Sequence, residues 1–240
     1  MTGSTRFFAG TSPRVAVWRP TPDRPVRAVV LLLHGGRADS YRPARRTQLA
    51  YLRMIPFARV LHRVLRDRGV AVWLLGYRVR GWNAPDLDPV SDARWALAEI
   101  HARHPGARVV LVGHSMGGRV ALRIADDPAV LGVGALAPWA EQGEPVAQLR
   151  GRQVLIAHGD RDQLTDPRQS FLLATRAVVV TDDVARFDVH GEGHAMARRA
   201  ADWHRLVRDF VLGVLGLEPH RTGIANAYRA PAPIGLRVPL

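Results

Sequence analysis

The chain has 240 residues, 47% of them hydrophobic, enough for one substantial core and one globular domain. Its formal charge of +13 comes entirely from arginine, for the chain has no lysine, and the arginines are scattered along it. A nucleic-acid footprint needs basic residues gathered on a face or stripe, so no nucleic acid is expected as a partner. Zero cysteines exclude disulfides, thiolate metal sites and a cysteine nucleophile.

Along the chain, the opening "MTGSTRFFAGTSPR" lacks the continuous apolar stretch of a secretory leader, and no run has the length of a membrane span. A soluble, cytoplasmic protein is the expectation. Apolar runs then recur at Ala28 to Gly36, Val70 to Tyr77, Arg108 to Gly113, Val130 to Trp139 and Gln153 to Gly159. Runs that are apolar at nearly every position suit parallel strands covered on both faces.

Helical patterns alternate with them. "FARVLHRVLRDRG" places Phe57, Val60, Leu61, Val64 and Leu65 on one stripe, and Gly69 ends it. "SDARWALAEIHARHPG" follows the same plan, with Ser91 as N-cap and Pro105-Gly106 as terminator, and "ADWHRLVRDFVLGVLG" is a further packing helix. Strand-helix alternation predicts an α/β protein with a mostly parallel central sheet and helices on both faces, whose ligand site lies at the carboxyl ends of the strands. Residues 37–56 form a long connection after the first run, and the proline-rich stretch 217–240 reads as an extended or disordered tail. The domain expectation is one unit over 1–216 and a tail over 217–240.

The chemistry concentrates at "VVLVGHSMGGRV". Ser115 stands in a G-x-S-x-G pattern between an apolar strand and a helical segment, the setting of a nucleophile elbow, where the helix N-terminus turns amides toward negative charge. The competing reading is an ordinary helix N-cap. A serine hydroxyl is a weak nucleophile at neutral pH, so catalysis requires a base, an orienting carboxylate and an oxyanion site. Downstream, "VLIAHGDRDQLTDP" offers Asp160, Asp162 and Asp166, and "FDVHGEGHAM" offers His190 and His194. Glu141 and Glu144 are further acids after "APW".

Through "LLLHGG", "GHSMGG", "HGDRDQLTDP" and "GEGH", the sequence resembles the α/β-hydrolase superfamily over roughly Val15 to Gly216. The resemblance implies a three-layer α/β-hydrolase fold and the catalytic residues Ser115, Asp162 and His194. It also implies an oxyanion hole from the amides of Met116 and Gly36, with Arg37 the alternative to Gly36, and it implies no metal and no organic cofactor. His34 and His114 are expected to be structural or to line the site. Where many relatives carry an aspartate ahead of an arginine-glycine turn, this chain reads "LLGYRVRGWNAPD", leaving Arg80, Trp82 and Asn83 as pocket candidates.

The segment between Ser115 and the acid is too short for a helical cap, so an open site is expected, covered at most by residues 37–56, the Trp82 loop, Trp139 or the tail. Arg42, Arg45, Arg46 and Arg53 lie either at a solvated loop face or against an acidic substrate. The implied activity is a serine hydrolase acting on a small or medium carboxylic ester. A serine aminopeptidase-like enzyme of the same superfamily and a noncatalytic binding protein with a basic surface are the alternatives.

Overall fold

The computed structural model describes residues 12–240; most of the stretch read for a leader lies outside them. Eight strands form one sheet in the order β1-β3-β2-β4-β5-β6-β7-β8. They are β1 (Arg14–Trp18), β2 (Ala28–Leu33), β3 (Val70–Gly76), β4 (Arg108–His114), β5 (Val130–Leu136), β6 (Gln153–Gly159), β7 (Val184–Val189) and β8 (Val238–Pro239). Only β1 runs antiparallel to its neighbour; the other pairings are parallel.

Successive side chains on a strand face opposite ways, and here both faces are covered. On β2, Val29, Leu31 and Leu33 join one apolar cluster while Val30 and Leu32 join the other. The helices are α1 (Leu49–Leu52), α2 (Met54–Leu65), α3 (Asp88–Arg103), α4 (Met116–Arg123), α5 (Pro167–Ala177), α6 (Ala200–Val214) and α7 (Thr222–Arg229). The first cluster packs the sheet against α3, α4 and α5, and the second against α2 and α6, giving the three layers. No helix among the described residues is long and apolar enough to cross a membrane.

The helix read as beginning at Ser91 starts three residues earlier, with Asp88 in its first turn and Pro89 beside it, because a rigid proline suits that position better than an interior one. The long connection is also more structured than its sequence suggests. Arg37 bridges Gly81 and Pro43 bridges Val79, and Asn83 accepts the Ser40 amide at 2.8 Å while donating to Asp88 at 2.8 Å. Asn83 is therefore a buried brace between two loops rather than a pocket residue.

The stretch from 217 departs most from its reading. It is neither extended throughout nor disordered: it forms α7, buries Ile224, Ala227 and Leu236, and returns as β8 beside β7. Proline and weak periodicity hid a segment whose order comes from docking: the Leu240 amide donates to Asp188 at 2.9 Å, and Arg186 donates to the Leu236 carbonyl at 3.2 Å.

Candidate active site

The sheet changes winding direction between β2 and β4, since β3 lies on one side of β2 and β4 on the other. Ligand sites of open α/β sheets sit at such a switch point, outside the carboxyl ends of the strands. Ser115 follows β4 at that end, and the "HGG" turn follows β2 beside it.

Ser115 has φ +59° and ψ −120°, a conformation that a non-glycine residue adopts only when its surroundings enforce it. The enforcement is local. Its amide donates to Leu136 at 3.0 Å, and its carbonyl accepts from Gly118 at 3.0 Å and Trp139 at 3.1 Å. The two glycines of the motif permit the turn: a Cβ on Gly113 would lie 2.0 Å from the Gly117 carbonyl, and one on Gly117 would lie 2.2 Å from the Leu33 carbonyl. The Ser115 hydroxyl makes no capping bond to α4, so it is not an ordinary N-cap. It lies 3.0 Å from His194 Nε2.

His194 sits on the loop between β7 and α6, and its Nδ1 is 2.8 Å from Asp162 Oδ2. Asp162, on the loop after β6, has a fully buried side chain and accepts from the Leu164 amide at 2.8 Å, the Thr165 amide at 3.0 Å and the Thr165 hydroxyl at 2.8 Å. His158 Nε2 lies 3.2 Å from the same Oδ2. Burial pushes this carboxyl up, but the hydrogen bonds from His158, His194 and Thr165 outweigh it and hold the group well below the usual carboxylate range. With Asp162 an acceptor, His194 carries its proton on Nδ1 and turns the Nε2 lone pair toward Ser115.

The rival acids and base have other partners. Asp160 accepts from His190 at 3.1 Å, both at the surface. Asp166 caps α5 by accepting the Arg168 amide at 2.8 Å. Glu144 and Glu141 both accept from Arg119 at 2.7 Å, and the Arg119 guanidinium lies 4.2 Å from the Trp82 ring and 4.7 Å from the Trp139 ring. Trp82 and Trp139 thus belong to one braced cluster on α4, one turn beyond Ser115.

His34 and His114 are both buried, and burial lowers them to about 4 and about 3 respectively, so both are neutral at physiological pH. His114 Nε2 donates to the His194 carbonyl at 2.9 Å. Near "HGG", the Arg37 amide donates to the Arg80 carbonyl at 2.9 Å, whereas the Gly36 amide has no main-chain acceptor among the described residues. Gly36 packs against Met116, so that an added Cβ would lie 2.4 Å from its sulfur. A cavity of about 390 Å³ opens there, lined by Gly36, Leu49, Ala50 and Arg80 among others. A second, of about 360 Å³, shares His34 with it and is lined by Arg45, Arg46 and Tyr51.

Sequence reasoning missed two contributors, His158 and Thr165. His158 stands directly before the glycine of "HGDRD", where its only sequence signal is a polar residue following the apolar run Val154 to Ala157.

A serine on a strained strand-to-helix turn, facing a histidine from a later loop at the switch point of a mostly parallel sheet, defines an α/β hydrolase by fold and placement. The family model described as "Alpha/beta hydrolase family" matches residues 30–237, and the chain belongs to that family. Among solved structures, it is similar to XC6422 from Xanthomonas campestris, a serine hydrolase without lid, at 22% identity and TM-score 0.59 over 87% of this chain and 91% of that one. Est1E from Butyrivibrio proteoclasticus, solved with ferulic acid bound, is 13% identical with TM-score 0.65 over 87% and 97%. An esterase from Pyrococcus furiosus is 16% identical with TM-score 0.62 over 84% and 91%. At these identities the likeness is one of fold. No curated protein matches the sequence.

Proposed function

We propose that this hydrolase cleaves carboxylic esters through an acyl-enzyme on Ser115, with His194 as the general base and Asp162 as the acid that orients it. The observation that carries the reading is the continuous contact from Ser115 Oγ to His194 Nε2, 3.0 Å, and from His194 Nδ1 to Asp162 Oδ2, 2.8 Å. His194 takes the Ser115 proton as Oγ attacks the ester carbonyl, then returns it to the departing alkoxide. Water, deprotonated by the same imidazole, releases the acid. The amides of Gly36 and Met116 bind the oxyanion. One such donor contributes roughly 2.7–4 kcal/mol to the transition state.

Two features favour an ester over an aminopeptidase substrate. The two cavities that meet at His34 are lined by Arg37, Arg45, Arg46 and Arg80 and by no acidic residue, so they offer no carboxylate to a substrate ammonium. Leu49, 76% exposed, edges the nearer cavity and offers apolar surface to an acyl chain. The Pyrococcus furiosus protein is an esterase by name, which agrees with this reading.

The test is intact-protein mass spectrometry after a fluorophosphonate probe, with Ser115→Ala and His194→Ala alongside. One adduct on the wild type, lost in both variants, is expected, followed by turnover of p-nitrophenyl esters and not of aminoacyl amides. A folded wild type that takes no probe would overturn the mechanism.

A further inference from the structure

Beyond the three residues of the proposed mechanism, the loop after β6 holds a second imidazole against the same carboxylate. His158 is completely buried. Its Nε2 lies 3.2 Å from Asp162 Oδ2 and 3.2 Å from the Thr165 carbonyl, both acceptors, so Nε2 carries a proton. Its Nδ1 lies 2.9 Å from Ser170 Oγ on α5.

Ser170 has one hydroxyl proton and two candidate acceptors, His158 Nδ1 and the Pro167 carbonyl, each at 2.9 Å. The buried Arg186 decides between them. Its Nε donates to Ser170 Oγ at 3.1 Å and its Nη2 donates to the Pro167 carbonyl at 3.2 Å, so that carbonyl is satisfied without the serine. Every polar atom then has a partner if Ser170 donates to Nδ1 and His158 is neutral with its proton on Nε2, which avoids a second buried cation.

We infer that His158, locked in this tautomer by Ser170 and Arg186, is a positioning residue for the Asp162–His194 pair: its Nε2 proton fixes the carboxylate and withdraws part of the Oδ2 charge from His194. The inference rests on the proposed roles of Asp162 and His194. It adds a buried line of hydrogen bonds from Arg186 on β7, through Ser170 and His158, to Asp162, His194 and Ser115.

An alternative is that His158 only fills space, and the two differ in what His194 feels. The charged and titratable groups around the line are Asp162 from the loop, His114 from β4 with Arg53 near it, Asp188 beside Arg186 on β7, and Arg237 from the C-terminal segment. All of them remain in a His158 variant. Without the Nε2 proton, more charge stays on Oδ2, and the protonated form of His194 is favoured.

The experiment is an NMR titration of the His194 ring in the wild type, His158→Leu, His158→Gln and Ser170→Ala, with the pH profile of ester hydrolysis measured beside it. In His158→Leu the His194 midpoint is expected to lie above that of the wild type, because the shared carboxylate loses one donor. Turnover should fall on the order of tenfold with KM little changed, well short of the roughly 10⁴ that follows when a triad loses tautomer control. Gln, which restores a donor near the Nε2 position, should recover most of both. Ser170→Ala, the milder change, should move the midpoint the same way by less, and it decides the matter if the leucine variant does not fold.

Leu and Gln variants that behave alike, or a midpoint unmoved in folded His158→Leu or Ser170→Ala, overturn the inference. Failure of the proposed mechanism would show separately, as a wild type without a probe adduct, and failure of the ester reading as an adduct without ester turnover, while the NMR midpoints still report whether His158 acts on His194.

Discussion

His114 and His194 come from opposite sides of the site and are joined twice: the His114 Nε2 proton is donated to the His194 carbonyl at 2.9 Å, and the two rings lie 4.7 Å apart. The residue before the serine therefore holds the loop that carries the proposed base. Replacing His114 with leucine removes that donor and leaves the His194 carbonyl with one partner fewer. Turnover should drop about tenfold or more, since small misplacement of a reacting group costs up to about 10². Unaltered ester turnover in folded His114→Leu would show that the contact does not position the base.

Gly36 tests the oxyanion assignment without touching an ionisable group. An alanine there meets the Met116 side chain at 2.4 Å and the Arg80 carbonyl at 2.5 Å, and of these only the methionine is free to give way. The turn must shift and carry its amide with it. The expected outcome is a fall in kcat by about 10² or more, consistent with losing one oxyanion donor, in a protein that still folds but melts below the wild type. A Gly36→Ala enzyme with full activity would move the donor elsewhere.

Glu144 anchors the braced cluster on α4. Its carboxylate is 1% exposed and accepts from both Arg119 and Arg123, and its carbonyl accepts from Arg176 at 2.7 Å. Glu144→Ala leaves the buried Arg119 guanidinium, packed against Trp82 and Trp139, without its buried counter-charge. Removing one partner of such a pair typically costs about 3–5 kcal/mol, and chemical denaturation should show a loss of that order. A loss under about 1 kcal/mol would mean that Glu141 alone satisfies Arg119.

Acid stability follows from the two buried histidines. Burial lowers His34 to about 4 and His114 to about 3, below the value of about 6.5 in an unfolded chain. Between those limits the unfolded state binds protons that the folded state refuses, so stability rises with pH there and is lost as pH falls from about 6.5 toward 4. Each group contributes a slope of about 1.4 kcal/mol per pH unit. Thermal melts at pH 7 and pH 5 should separate by several degrees, and a flat midpoint across that range contradicts the assignment of both rings as neutral.

The C-terminal segment supplies the last prediction. Ending the chain at Ala230 removes β8, uncovers the edge of β7 and takes the Leu236 carbonyl from Arg186. Leu236 is 1% exposed, and burying such a side chain is worth about 1.5–3 kcal/mol. The truncated protein should melt at least ~4 °C lower and aggregate through its open edge. Melting and light scattering indistinguishable from wild type would show that the segment does not support the sheet.

What the sequence determined by itself was periodicity and local chemistry. Continuous apolar runs announced parallel strands because both sheet faces are covered, and glycines around Ser115 announced the turn because no other residue fits against the Gly117 and Leu33 carbonyls. Chain order alone left Asp160, Asp162 and Asp166, and His190 and His194, as candidates, and only the family resemblance pointed to Asp162 and His194, since the contacts depend on which side chain faces inward from its loop. Tertiary structure places Asp160 with His190 at the surface and Asp162 with His194 inside, which supports the proposed pair. It also decided the fate of the stretch after 217 and the place of His158. Proline-rich sequence carries little periodicity, so only its docking on β7 gives it form, and His158 acquires a partner in Asp162 only because one loop folds the two together.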